Sequence, residues 1–227
     1  MVKNHLSRLN APKSWPLKRK GIKFVTRPSA GPHSLKESTS LSLVLTNILK
    51  YARTRKEVKK ILNDGKILVN GKLQKDHTFP IGLLDIISIP SLNEYYRVFY
   101  NTLGKFQLLA LKEEESDLRV VRIKDKSVIA YGKIQLNNTD GSNIILDKNA
   151  YATGDTLFLS FKDGKIKEHL TLGKGMRVYM TGGTKRGVVA TVEEFKDKNI
   201  IIKTDGEIFE TAKRYALAIG KLRTLEQ

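Results

Sequence analysis

Cysteine is absent from the 227 residues, and that one absence removes disulfides, thiolate metal sites and thiol nucleophiles together. It also fits a reducing compartment. Long apolar runs are missing too: nothing approaches the roughly 18 residues that a membrane-spanning helix needs. The most apolar window, Ile81 to Ile89, is short and interrupted by Asp85. The histidines His5, His33, His77 and His169 are scattered, without the spacing of a metal site. The basic N-terminus lacks the continuous apolar core of a secretory signal. Pro12, Pro16, Gly21 and Pro28 break the amphipathic helix that an organelle transit peptide requires, so the chain reads as cytoplasmic.

Acid is missing where base is plentiful. Residues 1–36 hold nine Lys/Arg and no Asp or Glu, for +9. Residues 37–75 add +6, residues 76–169 contribute −1 and residues 170–227 add +4, giving the net +18 of the whole chain. Such an excess repels itself unless a polyanion neutralises it. A surface built only for solubility intersperses the two signs, so the segregation points to a contact face for nucleic acid.

The basic arm interleaves Lys13, Lys18, Arg19, Lys20 and Arg27 with prolines, glycines and the only tryptophan, Trp15. No helical or strand period is sustained, so the arm is expected to lack a fold of its own. Ordering is expected when phosphates displace their counterions onto it. Trp15 and Phe24 are candidates either to stack on unpaired bases or to pack on the body.

From Leu41 the pattern changes. Leu41, Val44, Leu45, Ile48, Leu49 and Ala52 fall on one helical face behind a Ser/Thr cluster able to cap it. Thr54-Arg-Lys-Glu57 reads as a capping box opening a second helix, in which Val58, Ile61 and Leu62 share a face. Lys56, Lys59 and Lys60 point away from that face, with Arg55 at its margin. Gly65 supplies the stop. Next, Asn70-Gly71 between Lys66–Val69 and Lys72–Lys75 predicts a two-residue hairpin, and Ile86–Ile89 a third strand.

The string Thr-Arg-x-x-Val-x-x-Ile-Leu-x-x-Gly-x-Ile-x-Val-Asn-Gly, from Thr54 to Gly71, resembles the S-four-type RNA-binding domain over about residues 41–90. Val58 stands where that family often has alanine. The resemblance implies that the second helix and the strand after the Asn-Gly turn grip an RNA helix, with Arg53, Arg55, Lys56, Lys59, Lys60 and Lys72 as contacts.

Residues 91–169 read as β-rich. The runs are Arg97–Tyr100, Phe106–Leu111, Leu118–Ile123, Val128–Tyr131, Asn143–Leu146 and Thr156–Phe161, separated by turn signals such as Asp140-Gly141. Regular short strands suggest a small barrel or sandwich. Farther on, Arg177–Met180, Val188–Val192, Ile200–Lys203 and Glu207–Glu210 alternate with tight turns. The loop Gly182-Gly-Thr-Lys-Arg-Gly187 is not a Walker loop, because Val188 follows where Lys-Ser/Thr is required. Its Gly183, Gly187 and Val192 resemble a KOW motif, an SH3-like barrel, with Lys185 and Arg186 at the loop tip and Ala190 in place of a usual glycine. Backbone N–H groups and two cations suit RNA phosphates. Lys174 and Arg177, beside the first strand of this barrel, complete the candidate contacts.

The predicted architecture is therefore α+β and β-rich. It comprises a basic N-terminal arm (1–40), a helix–helix–hairpin RNA-binding domain (41–90), a central β domain (91–169), a barrel (170–220) and a tail (221–227). Within the arm, His5-Leu-x-Arg-Leu-x-Ala-Pro-Lys-x-Trp15 and Arg27-Pro-Ser-x-Gly-Pro-His33-x-Leu-x-Glu-Ser38 resemble the archaeal and eukaryotic small-subunit ribosomal protein S-four-e family. The resemblance runs nearly the whole chain, and places His33 in the RNA-facing arm. It implies a structural role in binding small-subunit rRNA beside neighbouring ribosomal proteins, with no cofactor, metal, membrane or small-molecule substrate. A pseudouridine synthase, which can also carry an S-four-type domain, needs a large catalytic domain that the residues after 90 do not supply. No nucleophile–base arrangement is legible. A free-standing RNA-binding or ribosome-rescue factor is the remaining rival.

Overall fold

The computed structural model describes residues 5–161, 163–204 and 206–220; Lys3 and the tail 221–227 lie outside the described residues. The chain divides into two compact units, Met1–Arg119 and Val120–Gln227.

In the first unit the arm is a folded element. Strand β1 (His5–Ser7) pairs antiparallel with β2 (Phe24–Thr26), although neither was visible as a period in the sequence. The segment between them is drawn in by Trp15, which is 1% exposed and donates its indole N–H to the Ser38 carbonyl at 2.7 Å. Then β3 (Ser38–Ser40) runs straight into helix α1 (Leu41–Leu43), whose N-cap Ser40 accepts the Leu43 N–H. The helix continues as a π-helical turn over Val44–Ile48. Helix α2 (Arg55–Asn63) follows, burying Val58 and Leu62 and packing against the π-helical turn.

Strands β4 (Leu68–Val69) and β5 (Lys72–Leu73) form the expected hairpin, with positive φ at Asn70 (50°) and Gly71 (74°). Strand β6 (Pro80–Gly82) pairs with β3, tying the end of the arm to the body. Strand β7 (Ile86–Ile89) is the predicted third strand, but the sheet does not stop there. The strands β8 (Glu94–Tyr100) and β9 (Phe106–Leu111) extend it in the order β5-β4-β7-β8-β9. The first two runs assigned to a central domain beginning at residue 91 thus complete the hairpin sheet, because the inner edge of β7 needs a partner for its N–H and C=O groups. After β9 the chain forms a single helical turn, α3 (Glu113–Ser116). The backbone carbonyls of Glu115 and Leu118 accept from the guanidinium of buried Arg97, whose pKa burial pushes down to about 10.

The second unit holds two five-stranded antiparallel sheets. The first comprises β10 (Leu118–Val128), β11 (Ile134–Asn138), β12 (Asn143–Leu146), β13 (Thr156–Ser160) and β14 (Ile166–Leu170), in the order β12-β11-β10-β13-β14. It packs Val121, Ile123, Leu136, Leu157 and Leu159 inward. The run Val128–Tyr131, expected as a strand, is instead the end of β10 and a turn with Tyr131 at φ 63°. The second sheet comprises β15 (Arg177–Met180), β16 (Val189–Lys196), β17 (Asn199–Thr204), β18 (Glu207–Ala212) and β19 (Ala216–Ala218). Its order is β18-β17-β16-β15-β19: a meander whose last strand returns to pair with the first. That return gives it the character of an SH3-like half-barrel around Val178, Val192, Ile200 and Ile202.

Candidate nucleic-acid interface

The start of α2 is set by local chemistry. Thr54 Oγ1 accepts the Glu57 N–H at 3.3 Å, and Glu57 reaches back to accept the Arg53 N–H at 2.8 Å. Those backbone and hydroxyl donors hold the Glu57 carboxyl below the ordinary glutamate range, and Gly65 ends the helix with φ 71°. With Val58 and Leu62 fixed inward, Arg55, Lys56, Lys59 and Lys60 are all exposed. Arg55–Lys59 and Lys56–Lys60 are like charges four residues apart, an arrangement that destabilises an isolated helix by about 0.2–0.5 kcal/mol per pair. None of the four forms an ion pair among the described residues. Their field reaches His77, whose pKa is lowered first by partial burial and then by Lys59 and Arg55, against the opposing pull of Asp76.

The hairpin beside this helix is braced from beneath by Asp85. Asn70 donates to Asp85 Oδ1 at 2.7 Å and accepts the Ile86 N–H at 2.9 Å. Asp85 Oδ2 accepts the Gly82 N–H at 2.8 Å and meets His33 Nε2 at 3.0 Å. One buried carboxylate therefore joins the turn, the β6 loop and the arm. Sequence reasoning missed it, although an acid inside the most apolar window was the available signal. On the open side of the turn Lys72 is exposed.

Not every predicted contact is on offer to a ligand. Trp15 is enclosed and cannot stack on a base. His33 is internal as well, its side chain 7% exposed against Asp85. Arg19 turns inward to donate to the carbonyls of Arg8, Leu9, Ala11 and Pro12, organising the arm from within. Lys13, Lys18, Lys20 and Arg27 remain exposed, as does Arg53. In the barrel, Gly183 and Gly187 take the positive φ that the loop requires. There Lys185 pairs with Glu207 at 3.0 Å and lies over Phe209, because a strand far along the sequence brings a carboxylate to the loop tip. Lys174 and Arg177 are exposed and Arg186 is half-buried. Among the described residues no group of His, Cys, Asp or Glu could hold a metal ion. No described helix is long and apolar enough to cross a membrane.

Known families match in the order that the architecture suggests. The RS4NT (NUC023) domain matches residues 2–36, the S4 domain residues 41–87 and the Ribosomal family S4e residues 92–166. The small ribosomal subunit protein eS4 of Methanocaldococcus jannaschii is 40% identical to the chain, over 96% of this chain and 94% of that protein. The chain belongs to the S4e family of ribosomal proteins. Similar S4e relatives include the eS4 proteins of Methanococcus aeolicus, 39% identical over 96% of this chain and 94% of its own, and of Methanocella arvoryzae, 38% identical over 97% and 96%. The crystal structure of the 30S ribosomal protein S4e from Thermoplasma acidophilum superimposes with a TM-score of 0.71 at 27% identity. It covers 82% of this chain and 97% of that one. S4e proteins are structural ribosomal proteins and not enzymes, which removes the pseudouridine synthase reading.

Proposed function

We propose that the chain is a structural constituent of the small ribosomal subunit that binds and stabilises small-subunit rRNA, in the cytoplasm and beside neighbouring ribosomal proteins. The observation that carries this reading is the exposed face of α2, where four cations stand without carboxylate partners among the described residues. A helix keeps such self-repulsion where a polyanion relieves it, and neutralised phosphates release condensed counterions as the driving force. The phosphate-facing set is Arg53, Arg55, Lys56, Lys59, Lys60 and Lys72 with the exposed arm cations Lys13, Lys18, Lys20 and Arg27. Lys174, Arg177 and Arg186 extend it on the barrel, and Lys185 joins it by exchanging Glu207 for phosphate. Arg19, Trp15 and His33 hold the frame on which these cations stand. In functional terms we retain the arm (1–40), the RNA-binding domain (41–90), the central β domain (91–169) and the barrel (170–220), while noting that β8 and β9 belong to the RNA-binding sheet.

The test is a salt wash followed by footprinting. Small subunits carrying this chain are washed at rising ionic strength, and the rRNA of washed and unwashed particles is probed with hydroxyl radicals. Retention through a stringent wash, with rRNA positions that become reactive only when the chain is stripped, supports the proposal. Release at moderate ionic strength without any change in rRNA reactivity identifies a transient factor and overturns it.

A further inference from the structure

A groove runs in the first unit between the β1–β2 ribbon and the α1 helix with its π-helical turn. Its lining combines two kinds of surface. The ribbon side carries Ile22 and Phe24, apolar side chains left 73% and 43% exposed. The Phe24 and His5 rings meet in a T-shaped pair at 4.6 Å between centroids, and Lys23 Nζ stands 5.4 Å from the Phe24 centroid, so the ring is held in place on the ribbon. The helix side carries Lys50, Arg53 and Arg55, which have no ion-pair partner among the described residues. Among the described residues no Asp or Glu lines the groove.

The backbone on the helix side is also irregular. In the π turn Leu49 N–H reaches back to Val44 O at 3.0 Å, a geometry that is rare and concentrated at functional sites. Immediately after it Lys50 holds φ 59°, a left-handed conformation that costs a non-glycine residue about 1–2 kcal/mol. Within the turn Asn47 accepts from Thr46 Oγ1 at 2.9 Å. Its amide hydrogens are left without a partner among the described residues, at the groove's lining.

We propose that this groove holds an unpaired nucleotide of rRNA, its base against Phe24 and Ile22, its edge within reach of the Asn47 amide, and its phosphate met by Lys50, Arg53 and Arg55. The inference rests on the rRNA-binding reading and goes beyond the phosphate-facing helix surface. An A-form duplex keeps its bases stacked inside and presents phosphates and 2′-hydroxyls, which leaves Ile22 and Phe24 facing water. An acidic peptide satisfies the cations, but its carboxylates bring no flat π face to the ring, whereas every nucleotide carries charge and π face together. A nucleotide splayed from the helix supplies both a charge and a stacking surface.

The full chain is bound to small-subunit rRNA isolated from the same cells, irradiated with ultraviolet light, and digested for mass spectrometry of peptide–nucleotide adducts. A nucleotide adduct within residues 22–27 is expected. In parallel Phe24→Leu, which keeps an apolar side chain on the ribbon, is compared with Phe24→Tyr, which keeps the ring. Phe24→Leu is expected to weaken rRNA binding about tenfold with an unchanged salt slope, since stacking carries no counterion term. Phe24→Tyr is expected to stay within about twofold of the unaltered chain. Absence of an adduct on that peptide, or Phe24→Leu binding within about twofold, overturns the proposal. So does a peptide adduct in place of a nucleotide when assembled subunits are irradiated. If the groove fails while alanine at Lys56, Lys59 and Lys60 still flattens the salt slope, the rRNA reading stands alone. If that triple variant is also indistinguishable, the rRNA reading falls with it.

Discussion

Alanine at Lys56, Lys59 and Lys60 together is the sharpest perturbation of the α2 face. All three side chains are exposed, and none contributes to the capping box or to the buried Val58–Leu62 contact. Alanine is the better helix former, and the change removes the Lys56–Lys60 repulsion, so the fold is expected to keep or slightly gain stability. If each lysine neutralises one phosphate, each contributes about 0.9 to the slope of log K against log salt on a duplex, and about 0.7 on a single strand. The triple variant then loses about 2 to 3 from that slope, so that between about 0.05 and 0.2 M salt its affinity falls some 20- to 40-fold less than that of the unaltered chain. Fluorescence anisotropy against labelled rRNA across that range reads the slope directly, and a urea midpoint confirms the fold. Parallel slopes for the two proteins would refute the reasoning, since they would leave these cations in solvent when RNA is bound.

The arm and the second unit yield further tests. A Cβ on Gly82 would clash with the ring of His33; Gly82→Ala should therefore free the arm, lower the unfolding free energy read from urea denaturation by about 1–3 kcal/mol and open residues in the arm to limited proteolysis. An arm as resistant as in the unaltered chain would count against the docking. Because Trp15 is the only tryptophan, its fluorescence reports the arm alone: emission in the RNA-free protein should be blue-shifted and move red on unfolding, and Trp15→Ala should cost about 3–5 kcal/mol. Red emission from the native RNA-free protein would contradict the burial. In the second unit, burial tends to raise the Asp155 carboxyl, but N–H donors from His169, Ala152 and Leu172 outweigh it and hold the pKa below the ordinary aspartate range. A depressed carboxylate contributes stability above its unfolded pKa of about 3.9. That contribution fades as pH falls through the lower folded value. Asp155→Asn should thus be less stable than the unaltered chain at neutral pH, with the gap closing in acid; a gap that stays constant from neutral pH into acid would show that the carboxylate charge is not what those donors stabilise.

Legibility in the sequence followed range. Where the determining contacts are a few residues apart, pattern and structure agree closely: Ser40 caps α1, Thr54 and Glu57 cap α2, Asn70-Gly71 turns the hairpin, and Phe106–Leu111, Asn143–Leu146 and Arg177–Met180 are strands to the residue. Strands β11, β14 and β19 escaped notice. Ile166–Leu170 mixes charged and apolar residues, and Ala216–Ala218 is too short to show a period. The disorder expected of the arm was wrong for a related reason. Its composition is that of an unfolded segment, yet two internal anchors, Trp15 on Ser38 and His33 on Asp85, hold it to the body.

By itself the sequence determined the sign and placement of charge, the capped basic helix with its Asn-Gly hairpin, and the family, because each is written in neighbouring residues or in their order along the chain. Tertiary structure alone decided which cations stay exposed and which are engaged. Arg19 is consumed by carbonyls of its own arm and Lys185 meets Glu207, whereas Lys56, Lys59 and Lys60 have no ion-pair partner among the described residues. The reason is physical: a side chain's charge is local, but its partner is set by which distant backbone the fold carries within hydrogen-bonding reach.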